Sequence, residues 1–171
     1  MTPLSHRRTT GVSILGMLLA IPVLLLLLIL LALGFYEARK AYWDYQVREM
    51  CAKDGGIKVY ETVKLPPEKF NEWGQVNFWI PTKDSVKPTD DYYREWDIRY
   101  YRQGNPEFSR GHFRITRQKD EKLLGESVYY GRGGGDLPGP WHGSSFRCPA
   151  DADISILKKY IFVLIEKEKE K

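Results

Sequence analysis

The stretch Gly131-Arg-Gly-Gly-Gly-Asp136-Leu-Pro-Gly-Pro-Trp141-His142-Gly-Ser144-Ser145 holds the residue types of a hydrolase. Asp136, His142, Ser144 and Ser145 are an acid, a base and two hydroxyls. Glycines let a backbone approach a ligand closely. Yet no G-x-S-x-G elbow is present, and a serine two residues from its base has no recognised triad geometry. The glycines are not followed by Lys-Ser/Thr, so they do not form a phosphate-binding P-loop. The pattern therefore favours an ordered loop first. Contact with a ligand or partner through Arg132, Asp136, Trp141, His142, Ser144 and Ser145 comes second, and catalysis last.

A second group combines cations with aromatic rings: Tyr92, Tyr93, Arg94, Arg99, Tyr101, Arg102, Arg110, Arg114 and Arg117. Guanidinium forks suit phosphate or carboxylate, and Tyr and Arg are common at interfaces. Tyr93, Arg94, Arg99, Tyr101 and Arg114 are the members expected to form a basic-aromatic face. The competing reading is cross-strand Arg–Tyr and Arg–Glu pairing on a solvated sheet. No metal site is predicted. Cys51, Cys148 and three histidines lack C-x-x-C or H-x-x-x-H spacing, and no cofactor motif is present.

These residues must be positioned by a small domain. Alternation of apolar and polar residues predicts strands over 57–63, 92–102, 107–118 and 123–130, with a further apolar strand over 76–80. Pro66-Pro67 opens a short helix over 68–73. Residues 83–91 read as a loop. Asp151 or Asp153 caps a second helix. The end, 159–165, continues that helix or forms a last strand, and its β-branched and aromatic residues favour the strand. Short turns between successive strands imply an antiparallel meander. The expected fold class is α+β: an N-terminal transmembrane helix, then a small domain with an antiparallel sheet and one or two short helices.

The anchor is the clearest feature. Between Arg8 and Glu37 the chain carries no formal charge, and 23–31 is an unbroken aliphatic run. A hydrocarbon core needs about 20 apolar residues. The expected division is a basic tail 1–10, a span 11–36, a helical juxtamembrane stalk 37–52, a domain 53–165 and a charged end 166–171. Tyr36, Tyr42, Trp43 and Tyr45 follow at the level of the headgroups. The apolar run is too long for a signal peptide, and Leu31-Ala32-Leu33-Gly34 is a poor cleavage site. Gly16 and Ala20, four apart, are no stronger a pairing signal than the small residues common in spans. They leave the oligomeric state open.

Arg7 and Arg8 precede the span with no acid beside them. Arg39, Lys40 and Arg48 follow it, mixed with acids. This places the N-terminus in the cytoplasm and the domain outside it. All 22 acids lie beyond the span, so the basic isoelectric point is weak evidence for nucleic acid. Cys51 and Cys148 bracket almost the whole domain and read as a disulfide in an oxidising compartment. The expected partners are the lipid bilayer and an envelope protein or anionic polymer, with no nucleic acid.

Two stretches, Cys51-Ala-Lys-Asp-Gly-Gly-Ile-Lys-Val-Tyr-Glu61 and Gly131–Pro149, resemble a family of small bacterial single-pass envelope proteins. The resemblance implies an envelope setting and an inner-membrane location. It implies no activity and transfers no catalytic residue. The reading that results is a non-enzymatic, membrane-anchored protein with a periplasmic interaction domain. The alternative is an envelope enzyme or ligand-binding module using Asp136–Ser145.

Overall fold

The computed structural model describes residues 14–165 apart from Trp141, with side chains from Leu18 onward. The tail 1–10, the start of the span, Trp141 and the charged end 166–171 lie outside the described residues. The α+β architecture is present: a long apolar helix, an antiparallel sheet and a short second helix.

Helix α1 runs Ile14–Asp54 and continues through Pro22. At about 1.5 Å per residue it is about 60 Å long, twice a hydrocarbon core. Every residue from 18 to 35 is exposed, and nearly all are aliphatic. A soluble domain does not leave such a surface in water. Among the described residues this is the one helix long and apolar enough to cross a membrane.

Beyond Tyr36 the helix changes character. Val47 is fully buried and Cys51 nearly so. The segment read as a stalk thus enters the core of the domain. Gly55 ends the helix, donating its N–H to the Cys51 carbonyl at 2.8 Å. Gly56 follows at φ 122°, a conformation that favours glycine.

The sheet holds β1 (Gly56–Val59), β3 (Tyr92–Arg102), β4 (Glu107–Arg117), β5 (Lys122–Gly133) and β6 (Ser145–Cys148). The order is β1-β5-β4-β3, and β6 joins the same edge of β5 beyond β1. All these pairings are antiparallel. A separate parallel pair joins β2 (Val63–Leu65) to β7 (Phe162–Leu164). Between β6 and β7 lies α2 (Ile154–Ile161), capped by the Asp153 side chain, which accepts from the Ser155 N–H.

Strands β3 and β4 fall where alternation predicts them. Three other expectations need correction. The predicted strand 57–63 is split, because the N–H groups of Tyr60 and Glu61 both donate to the Leu124 carbonyl and turn the chain off the edge. The predicted helix 68–73 is only a 3-10 turn at Pro67–Lys69. The Asn71 side chain accepts from the N–H groups of Trp73 and Gln75, an alternative that competes with helix. The predicted strand 76–80 makes one isolated bridge, Phe70 to Val76. Its apolar residues are held by side-chain packing: Ile80 is fully buried, and the Phe78 ring packs on Tyr92 and Phe162.

The two sheet faces carry separate cores. On one, Ile80, Ile115, Leu124, Leu157, Ile161 and Phe162 pack beneath α2. On the other, Phe108, Val128 and Tyr130 meet Val47 and Cys51 of α1. A Cβ on Gly125 would lie 2.9 Å from the Lys58 carbonyl and 3.0 Å from Ile161. Gly125 thus lets β1 and α2 approach β5 together.

The Cys51–Cys148 disulfide ties α1 to β6 across 97 residues. In the chain-entropy model such a loop contributes about 4–5 kcal/mol. Replacing both cysteines by alanine should therefore lower the domain's stability by about that amount, read as a fall in the denaturation midpoint of the detergent-solubilised chain. Gly125→Ala should cost about 1–3 kcal/mol in the same measurement, because a backbone carbonyl must move.

Candidate functional site

The loop between β5 and β6 is shorter than its composition suggests. Residues 131–133 are strand, with Phe108 opposite Arg132 and Glu107 opposite Gly133. Ser145 already belongs to β6. The loop proper is 134–144, and its Asp136 meets Lys40 of α1.

Arg132 is buried at 5% exposure. Its Nε donates to Asp44 of α1 at 2.5 Å. Its Nη1 donates to the Gly134 carbonyl and to the Ser144 carbonyl and hydroxyl. One planar guanidinium thus joins the helix to both ends of the loop, a task suited to its rigid fork of donors.

Asp136 completes the arrangement. It accepts from the Ser144 N–H at 2.5 Å, from the Ser144 hydroxyl at 3.0 Å and from Lys40 at 3.2 Å. Lys40 also pairs with Glu37 at 2.6 Å. Next to it, Gly135 donates its N–H to the Asn105 side chain, and Arg39 donates to the Asn105 carbonyl. Loop 134–144 and the β3–β4 turn are both fastened to the first turns of α1 beyond the span.

These contacts decide the chemistry. The Ser144 N–H, then its hydroxyl and Lys40, pull the Asp136 carboxyl down from 3.8 to about 2, against the opposing effect of burial. A carboxylate held so low is a weak general base near neutrality. The Ser144 hydroxyl is held by Asp136 and Arg132. His142 and Ser145 are exposed. Among the described residues no group of His, Cys, Asp and Glu could hold a metal ion.

Of the residues expected to form a basic-aromatic face, Tyr93, Arg99, Tyr101 and Arg114 share the α1 side of the sheet and Arg94 lies on the other. Tyr93 pairs with Thr116 and Arg94 with Ile115, so these neighbours point to opposite sides of the sheet. On the α1 side the charges are mostly matched. Arg110 pairs with Asp54 at 2.9 Å, and Arg114 lies 3.7 Å from Glu95. Tyr93 is buried, Arg99 lies over the Tyr101 ring, and Arg102 lies over Trp43. Arg117 pairs with Glu61 and Asp120, and Tyr92 packs in the α2 core. Arg94 lies over the exposed Trp79 ring at 4.6 Å.

Other functional residues were missed in the sequence. Lys40, Asp44, Val47, Cys51 and Asp54 recur at helical spacing on one side of α1, and all meet the sheet or its loop. Their spacing was readable, but the mixed charge around them masked it. A cross-strand cluster was also missed: Glu126 accepts from Tyr60 at 2.6 Å and lies 2.7 Å from His112. Burial opposes ionisation of Glu126, yet these two partners hold its carboxyl below the usual range. Burial, together with the bond to Asp54, pushes the Tyr130 phenol up.

No protein-family model matches the chain, and no curated protein or solved structure shows significant similarity to it.

Arg132→Ala strips Asp44 of its partner and should cost about 3–5 kcal/mol, measured by denaturation of the full chain in detergent. Asp136 gives a pH signature. Its folded pKa lies below the unfolded value, so its contribution is complete above about pH 4 and is lost as pH falls toward 2. Hydrogen exchange in 134–144 should rise over that window, and Asp136→Asn should abolish the dependence.

Proposed function

We propose that this chain is a non-enzymatic interaction protein of the bacterial envelope, anchored once in the inner membrane with its N-terminus in the cytoplasm and its domain in the periplasm. The observation that carries this reading is the use made of the loop. Arg132, Asp136 and Ser144, the groups best suited to chemistry, are consumed in fastening the domain to its anchor. That arrangement presents a folded surface in a set position.

Three features support the orientation. Arg7 and Arg8 flank the span without acids, as positive charge on the cytoplasmic side requires. The disulfide belongs to an oxidising compartment. The resemblance of 51–61 and 131–149 to envelope proteins points the same way.

A membrane-impermeant maleimide applied to intact spheroplasts tests the placement. Cys51 and Cys148 should react only after denaturation with an impermeant reductant, without lysis. Reaction only after lysis would place the domain in the cytoplasm. The competing enzyme reading needs His142 in the Asp136–Ser145 loop. On our reading, His142→Ala complements a chromosomal deletion as well as the wild-type chain does. Loss of complementation at unchanged thermal stability would favour the enzyme.

A further inference from the structure

Strand β3 is the outer strand of the sheet and is bonded to β4 on one side only. At its start the other side is taken, because the Arg94 N–H donates to the Pro81 carbonyl at 2.8 Å. Near its end the pairing with β4 shifts between Tyr100 and Arg102, a bulge that interrupts the strand. Between these two points, 96–100 has an open edge. The backbone N–H and C=O of a residue point the same way, and that direction alternates along a strand. Arg94 points off the edge, so the backbones of Trp96, Ile98 and Tyr100 do too, while those of Asp97 and Arg99 face β4. Among the described residues no group pairs with these outward N–H and C=O groups. A row of unpaired backbone groups is a template for another strand.

The side chains say what kind of strand fits. Trp96, Ile98 and Tyr100 lie on the α2 side of the sheet, opposite Phe113, Gly111 and Ser109. Helix α2 packs farther along, over Ile115 and Leu124, which leaves Trp96 60% exposed and Tyr100 43%. The Trp96 ring stacks on Phe113 at 5.9 Å. On the α1 side, Asp97 and Arg99 are exposed. Unlike Arg110 and Arg114 on that side, neither forms an ion pair among the described residues. Charges on an edge deter indiscriminate pairing. Here they have opposite signs and stand two residues apart, which leaves one charge order that fits an antiparallel strand. An acid followed two residues later by a cation meets Arg99 and then Asp97; the reverse order sets like charges opposite one another. The chain's own Trp96-Asp97-Ile98-Arg99-Tyr100 has the fitting order. A second copy in the same bilayer is excluded by α1, which lies along the sheet from Asp44 at Arg132 to Asp54 at Arg110. Antiparallel pairing relates two such strands by a two-fold axis normal to the sheet. The second α1 would then run the opposite way and carry its span out of the bilayer.

We propose that the β3 edge over 96–100 takes an extended segment of a partner protein, added antiparallel. Its apolar side chains lie beside Trp96, Ile98 and Tyr100, and its acid and cation meet Arg99 and Asp97. Main-chain bonds supply the affinity of such an added strand, and side chains supply its specificity. This names the contact made by the interaction domain proposed above and rests on that reading, but not on the compartment.

The test uses the full chain in nanodiscs and a pair of synthetic peptides of one composition, acetyl-Val-Glu-Val-Lys-Val-amide and acetyl-Val-Lys-Val-Glu-Val-amide. Amide hydrogen exchange is read residue by residue. The first peptide should slow exchange at Trp96, Ile98 and Tyr100 saturably, and leave Asp97 and Arg99, whose N–H groups face β4, unchanged. It should bind about tenfold more tightly than the second. Asp97→Arg combined with Arg99→Asp should invert that preference at an unchanged thermal midpoint. Ile98→Pro removes an outward N–H and no bond to β4, so it should abolish the peptide's effect while β4 stays protected. The absence of saturable protection from either peptide overturns the docking edge, and so does protection that survives Ile98→Pro. Equal affinity for the two peptides, or a preference that the charge exchange does not invert, overturns the antiparallel register. Dimers of the chain that Ile98→Pro dissociates overturn the choice of a partner over a second copy. Failure of the edge leaves the His142→Ala comparison to decide the interaction reading, and the maleimide result bears on neither peptide.

Discussion

The domain depends on a buried guanidinium meeting a carboxylate from the helix. Arg132 lies almost out of water, and Asp44 meets its charge. Remove Asp44, and a buried cation is left with two carbonyls and a hydroxyl, none of them charged. The pair therefore makes the juxtamembrane helix a part of the fold. Around it, Lys40 with Asp136, Arg110 with Asp54, and the disulfide repeat the same connection along α1. The helix is a structural layer of the domain, with its own apolar cluster against the sheet.

That arrangement explains why a loop with a hydrolase's residue types has no hydrolase's geometry. Asp136 is saturated by a backbone N–H, a hydroxyl and an ammonium. These are the donors that hold a carboxylate ionised. A catalytic base needs a higher proton affinity and a free approach. The same three residue types serve binding, catalysis or fastening according to what surrounds them.

Much of the fold was legible because periodicity is strong where one element dominates. The span, β3, β4 and the α2 cap follow from apolar runs, alternation and Asp153. The antiparallel β3-β4-β5 order follows from the short turns between those strands, whereas the places of β1 and β6 beside β5 and the parallel β2–β7 pair do not. What was not legible depended on distant partners. Nothing local shows that Tyr60 and Glu61 share the Leu124 carbonyl, or that 76–80 lacks a second strand to pair with. The basic-aromatic face lost Arg94 on a local rule: Tyr93 and Arg94 are adjacent, and adjacent residues of a strand face opposite ways. The loop was half legible. Its glycines and its acid were evident, but its partners lie about 90 residues earlier, on a helix read as a spacer.

The unbroken course of α1 has a mechanical consequence. No flexible linker separates the apolar segment from the sheet, so the domain has no swivel. Rotation or tilt of the span turns the whole slab with it. From Tyr36 to Asp54 the helix climbs about 27 Å at 1.5 Å per residue. The sheet that packs on it is therefore carried at a set height and a set azimuth, like an object on a mast. A glycine-serine tether would let the domain sample a hemisphere. This one confines it to a shell of constant distance from the apolar segment.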